Sequence, residues 1–186
     1  KGKLIKSIIF SLICLKISAQ NSFIENKGQI HSNVLSKVNL SSGSLFIETT
    51  RLTYAFYDKE KLIERHNYGS LDNIQAHSYT VSFLGANQDN ISTFNKPSVF
   101  YENYFLSPDY QASSVRSYQN YKKQNLYQGI DILFYTKEDN LKFDLYVSPN
   151  ANPKQIEIEY NGVENMQLIE GNLCYETTVN KIKEHK

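Results

Sequence analysis

Tryptophan is absent from this 186-residue chain, and methionine (one), cysteine (two), proline (four) and glycine (eight) are scarce. So little glycine and proline excludes collagen-like and low-complexity chains, which need both in quantity. The two cysteines, Cys14 and Cys174, cannot build a disulfide framework, so a folded domain must rest on its core. His31, His66, His77 and His185 lie far apart without zinc-ligand spacing. There is no phosphate loop, dinucleotide glycine pattern, nucleophile elbow or spaced-aspartate calcium loop. No cofactor and no metal are expected.

Residues 1–19 stand apart from the rest. "KGKLIK" is basic, "SIIFSLICL" is apolar but too short to span a bilayer, and "ISAQN" sets small residues before a cut between Ala19 and Gln20. A signal peptide over 1–19 is expected, followed by a single β-rich domain over 20–186. Cys14 sits inside the apolar run behind the bulky Ile13, which does not suit lipid attachment. Removing four lysines and no acid takes the formal charge from +1 to −3. That mildly acidic chain, in which only Lys122 and Lys123 stand together, lacks the basic stripe of a nucleic-acid binder. The mature chain is expected to carry no membrane span and to work outside the cell or on its outer surface, the periplasm being the alternative.

Tyrosine and phenylalanine are plentiful, 14 and 10 residues, and apolar positions alternate with polar ones. "GSLFIETTRLTYAFYD" predicts two strands joined near Thr50 and Arg51, and "HSYTVSFLG" a half-buried strand ending at Gly85. Residues 58–76 are charged and polar, a long loop or short surface helix. "KPSVFYENYFLSPDY", punctuated by Pro97 and Pro108, predicts a short strand around Phe100 to Leu106. Ile156, Ile158 and Tyr160 share one strand face, and a hairpin is expected around Glu170-Gly171-Asn172. Cys174, in the alternating "NLCYET", reads as a buried strand cysteine. Many short strands without a long helix indicate an all-β, antiparallel, sandwich-like domain with long loops. The last residues, "NKIKEHK", are strand-forming, as expected of the N-terminal part of a longer protein.

"NLYQGIDILFYTKEDNLKFDLYV", residues 125–147, holds two carboxylates among apolar residues. Matching the apolar sets Ile130, Ile132, Phe134 and Phe143, Leu145, Val147 fixes a hairpin register: Phe134 faces Phe143, Ile132 faces Leu145, and Lys137 to Asn140 form the loop. Asp131 then faces Tyr146, Leu133 faces Asp144 and Tyr135 faces Lys142 on the other side. Asp131 and Asp144 become diagonal neighbours, ~7–8 Å apart at their α-carbons. This overlaps the ~5–5.5 or ~6.5–9.5 Å between paired glycosidase carboxyl groups. The plainer expectation is a polar sheet face in which both acids are scaffold.

Tyr101, Tyr104, Tyr110, Tyr118, Tyr121 and Tyr127 crowd one third of the chain. Exposed rings offer apolar area and a hydroxyl together, which suits sugars or partner proteins. The candidate ligand-binding residues are Tyr101, Tyr104, Tyr118 and Tyr121, with Asp131 and Asp144.

The segments "FIENKGQ" (23–29), "GSLFIETTRLTYAFYD" (43–58), "VSFLGAN" (81–87), "YENYFLSPD" (101–109), "VRSYQNYKKQNLYQGIDILFY" (115–135) and "LKFDLYVSPNANPKQIEIEYNG" (141–162) together resemble a family. It is the N-terminal β domain of large exported surface proteins of gliding Gram-negative bacteria. The resemblance implies β-propeller-type or immunoglobulin-like repeats and a C-terminal sorting domain downstream. Where Gln128, Asn150 and Tyr110 stand, the family often has Pro, Gly and a nearby Trp. It implies no catalytic residues. The expected function is a non-catalytic exported module with a structural, adhesive or ligand-binding role, its partners glycans or other surface proteins. The rivals are a carbohydrate-active enzyme using Asp131 and Asp144, and a polysaccharide-binding module using exposed tyrosines.

Overall fold

The computed structural model describes residues 22–69, 73–108, 110–137 and 140–185. The proposed cleavage site at Ala19 and Gln20 lies outside them. The described residues are 64% strand with one short α-helix, the sheets are antiparallel, and the main sheet curls into a half-barrel. In chain order the strands are β1 (Phe23–Glu25), β2 (Ser36–Leu40), β3 (Gly43–Ile47), β4 (Arg51–Tyr57), β5 (Ala76–Leu84), β6 (Ile91–Ser107), β7 (Tyr110–Tyr127), β8 (Ile130–Lys137), β9 (Asn140–Val147) and β10 (Glu157–Asn161). They pair as β10-β5-β4-β3-β2-β1-β7-β8-β9, with β6 added along β7. A second sheet, β11 (Glu164–Ile169), β12 (Asn172–Glu176) and β13 (Lys181–Glu184), pairs in sequence order.

Period-two alternation places the core. Phe23, Val38, Leu45, Ile47, Leu52, Val81, Phe83, Tyr121, Ile130, Ile132 and Phe134 are buried together on the concave side, while their sequence neighbours face outward. The joint at Thr50 and Arg51 opens β4 as expected, and β5 ends before Gly85, whose φ of 66° only glycine adopts freely. Residues 58–76 contain helix α1 (Lys59–Tyr68), capped by the Asp58 carboxylate accepting from the Lys61 amide and closed by Gly69 in the left-handed region. Asn150 has φ 69°, in the left-handed region that asparagine tolerates better than most side chains. The β11–β12 turn carries Glu170 and Gly171 at φ 51° and 80°, the two-residue hairpin geometry that follows strand twist.

The β8–β9 register is the one read from the sequence, with Phe134 opposite Phe143, Ile132 opposite Leu145, Asp131 opposite Tyr146 and Leu133 opposite Asp144. The loop differs: Lys137 pairs with Asn140, so the ladder runs one residue pair further than expected.

The larger correction concerns residues 100–106, read as a short strand. β6 has 17 residues and β7 has 18, one long ribbon. Pro97 is tolerated because β6 has a neighbour on one side only. Register shifts between Pro97 and Tyr101, Glu102 and Tyr104, and Phe105 and Ser107 bend it, with Lys96 and Ser114 at φ 57° and 55°. The Asn103 side chain accepts from the Ser114 amide at 2.8 Å and holds one bulge in place.

The small sheet is fixed to the half-barrel by hydroxyls. Tyr175 of β12 hydrogen-bonds Tyr79 of β5 at 2.9 Å and donates to Glu184 Oε1 at 2.6 Å. Tyr160 of β10 donates to the other Glu184 oxygen at 2.9 Å. The rings of Tyr79 and Tyr175 meet edge to face at 5.5 Å. Burial pushes all three phenols well above their ordinary pKa, with Glu184 adding to the rise, so they stay neutral donors.

Candidate functional site

Asp131 and Asp144 lie on the same face of the β8–β9 hairpin, as the register requires. Asp131 forms an ion pair with Lys122 at 2.7 Å and accepts from the Asn125 amide at 2.8 Å. Burial alone would raise its pKa, but these partners outweigh it and hold the carboxyl below the ordinary range. An acid held ionised this way cannot protonate a leaving group. Asp144 is exposed and accepts from the Tyr135 hydroxyl at 3.3 Å. Neither acid lines either of the two depressions described on the surface.

The four candidate tyrosines do not form one patch. Tyr121 is fully buried, stacked among Phe23, Phe94 and Phe134, because it faces the concave side; as an exposed platform it is ruled out. Tyr118 is half-buried, tilted against Phe94 at 4.7 Å, with its hydroxyl donated to Glu25 at 3.3 Å. Tyr104 is half-buried and donates to Glu102. Burial and that carboxylate push its pKa up to about 12. Only Tyr101 stands out in solvent, joined by Tyr110.

Sequence reasoning missed what surrounds Tyr101. Before Ser117, over residues 110–116, β7 pairs only with β6, and the ribbon becomes an arm. On β6, Val99 and Phe100 are 82% and 80% exposed, and Phe105 and Leu106 are also bare. An apolar cluster this open is unusual on a soluble surface and marks contact sites. The arm's inner strand is braced by the loop after β1: the Arg116 amide donates to Glu25 at 2.8 Å and Lys27 donates to the Ser114 carbonyl at 2.9 Å. Asn26 organises that loop, its amide donating to the carbonyls of Ile30, His31 and Val34. Consecutive apolar residues, Val99-Phe100 and Phe105-Leu106, were the available signal, since a half-buried strand alternates.

An open depression of about 800 Å³ lies between that loop and the ribbon, lined by residues including Asn26, His31, Ser92, Phe94 and Tyr110. Cys174 lies in β12, half-buried. Among the described residues, no group of three His, Cys, Asp or Glu side chains converges as a metal site, and no helix is long and apolar enough to cross a membrane.

Residues 23–186 match the model of a domain of unknown function, DUF7948. The chain belongs to the DUF7948 family. No curated protein and no solved structure matches it. The DUF7948 match begins at Phe23, the first residue of β1, and takes in the half-barrel, the arm and the small sheet alike.

Proposed function

We propose that this DUF7948 domain is an exported recognition module of a large cell-surface protein, and that the β6–β7 arm makes its contact. The observation carrying the reading is the exposed cluster Val99, Phe100, Tyr101, Phe105 and Leu106 on a strand whose outer edge is unpaired among the described residues. Aliphatic and phenyl groups dominate that cluster, so the partner is a protein surface with an apolar groove rather than a sugar. Export is supported by the basic-then-apolar composition of residues 1–19 and by the resemblance to surface proteins of gliding bacteria.

The arm favours this over the glycosidase reading, since Asp131 is committed to Lys122 and neither acid borders a cleft. The polysaccharide reading retains Tyr101 and Tyr110 and loses Tyr121. Binding and turnover against panels of outer-envelope proteins and glycans distinguish the three. Protein binding that survives Asp131→Asn and Asp144→Asn but is lost when Phe100, Phe105 and Leu106 become Ser supports the arm. Glycan turnover abolished by either Asn substitution overturns it.

A further inference from the structure

The concave side of β6 and β7 holds a cluster that neither the arm nor the aspartates use. Ser92 and Lys123 are direct cross-strand partners, and Tyr121 lies two residues from Lys123 on the same face. The Tyr121 hydroxyl donates to Ser92 Oγ at 2.7 Å, and Lys123 Nζ lies 3.4 Å from the same oxygen. Ser92 in turn lines the 800 Å³ depression, so the order from solvent inward is open space, hydroxyl, amine.

Lys123 is 1% exposed, and among the described residues no carboxylate pairs with it. Its β8 neighbour is Ile132, and Lys122 faces the other way, toward Asp131. Glu25 is taken by Lys27, the Arg116 amide and Tyr118. The remaining titratable neighbours are Tyr121, whose ring centre is 5.3 Å from Nζ, and His31 and Tyr110 on the depression wall. Burial pushes the Lys123 amine down to about 7. Near neutral pH a large share of it therefore carries a lone pair that can accept the Ser92 proton, while Tyr121 donates to the same oxygen from the other side.

We propose that Ser92 is a nucleophile with Lys123 as its general base, serving carboxylic esters that enter the depression between the β1–β2 loop and the ribbon. Ser92 Oγ bonds to the carbonyl carbon as its proton moves to Nζ. The bond from that carbon to the alcohol oxygen breaks, and the departing oxygen takes the proton back from Nζ. Water then attacks the acyl carbon through the same relay, releasing the carboxylic acid and restoring the serine. Tyr121 holds Oγ in position. This goes beyond the recognition role and rests on different residues, so either can fail without the other.

The test is labelling of the whole chain with a fluorophosphonate, in which the Oγ–P bond forms, fluoride leaves and the proton passes to Nζ. Peptide mapping locates the adduct, and its rate of formation is followed against pH. The expected result is an adduct on Ser92 whose rate rises as pH passes through about 7. It is absent from Ser92→Ala and slowed at least ~100-fold in Lys123→Met. The methionine has similar length without the unpaired charge, and thermal unfolding checks that the variant folds. If it does not, the pH profile of the unaltered chain decides. An unlabelled Ser92 in the folded chain, a rate flat through neutral pH, or a rate untouched in a folded Lys123→Met overturns the proposal.

Discussion

Lys123 is the residue at which burial and charge conflict most. An unfolded lysine titrates near ~10.4, and the folded one near 7. Between those values the unfolded chain holds a proton the folded chain has released, so stability rises with pH across that window and is flat below it. Lys123→Met is expected to remove this slope and stabilise the chain at neutral pH by on the order of a few kcal/mol. Urea denaturation at several pH values measures both effects, and an unchanged slope in the variant contradicts the assignment. Asp131 behaves oppositely. Its stabilisation exists above the ordinary carboxylate range and is lost as pH falls through its lowered folded value. Because the Asp131–Lys122 pair keeps about a third of its side-chain surface in water, Asp131→Asn is expected to cost no more than ~1 kcal/mol in the same assay. Gly43 gives a harder limit, since a β-carbon there would sit 2.0 Å from the Ala55 carbonyl oxygen of the neighbouring strand. Gly43→Ala should cost at least the upper end of the ~1–3 kcal/mol typical of overpacking, read as a lowered urea midpoint or loss of folding. The shared face of Asp131 and Asp144 was legible in the sequence because the hairpin that carries them is local. The burial of Tyr121 and Lys123 was not, because alternation separates two faces without saying which one the distant strands β1 and β8 will cover.

At the scale of elements, the β8–β9 hairpin was readable because apolar residues on both strands allow one register that buries them. The ribbon β6–β7 was not. Pro97 and Pro108 read as strand boundaries, and the bulges that bend β6 break the alternation that would have marked its length. Its exposed residues stabilise nothing visible. Replacing Phe100, Phe105 and Leu106 with Ser should therefore leave the thermal midpoint within the shift expected of ~0.5 kcal/mol per site. A large loss of stability would show that the arm packs where it stands exposed here. The small sheet depends on the opposite kind of residue. Tyr175→Phe removes a buried hydroxyl shared by Tyr79 and Glu184, and is expected to cost ~1–3 kcal/mol by denaturant titration. No sequence pattern announced that network, because its four members come from β5, β10, β12 and β13.

For the whole molecule, alternation and the lack of long helices were enough to fix an all-β antiparallel class. Curling of the main sheet into a half-barrel depends on bulges and on β7 serving three neighbours at once, β6, β8 and β1, and such pairings leave no local mark. The result is a half-barrel with one bare ribbon, and the proposed recognition role rests on that asymmetry. The most direct test is carbene footprinting of the whole chain with and without outer-envelope protein extract, read residue by residue. The account predicts protection concentrated at Val99 to Leu106 and none at Asp131 to Tyr146. Protection confined to the Asp131–Asp144 face, or an arm equally labelled in both samples, would contradict it.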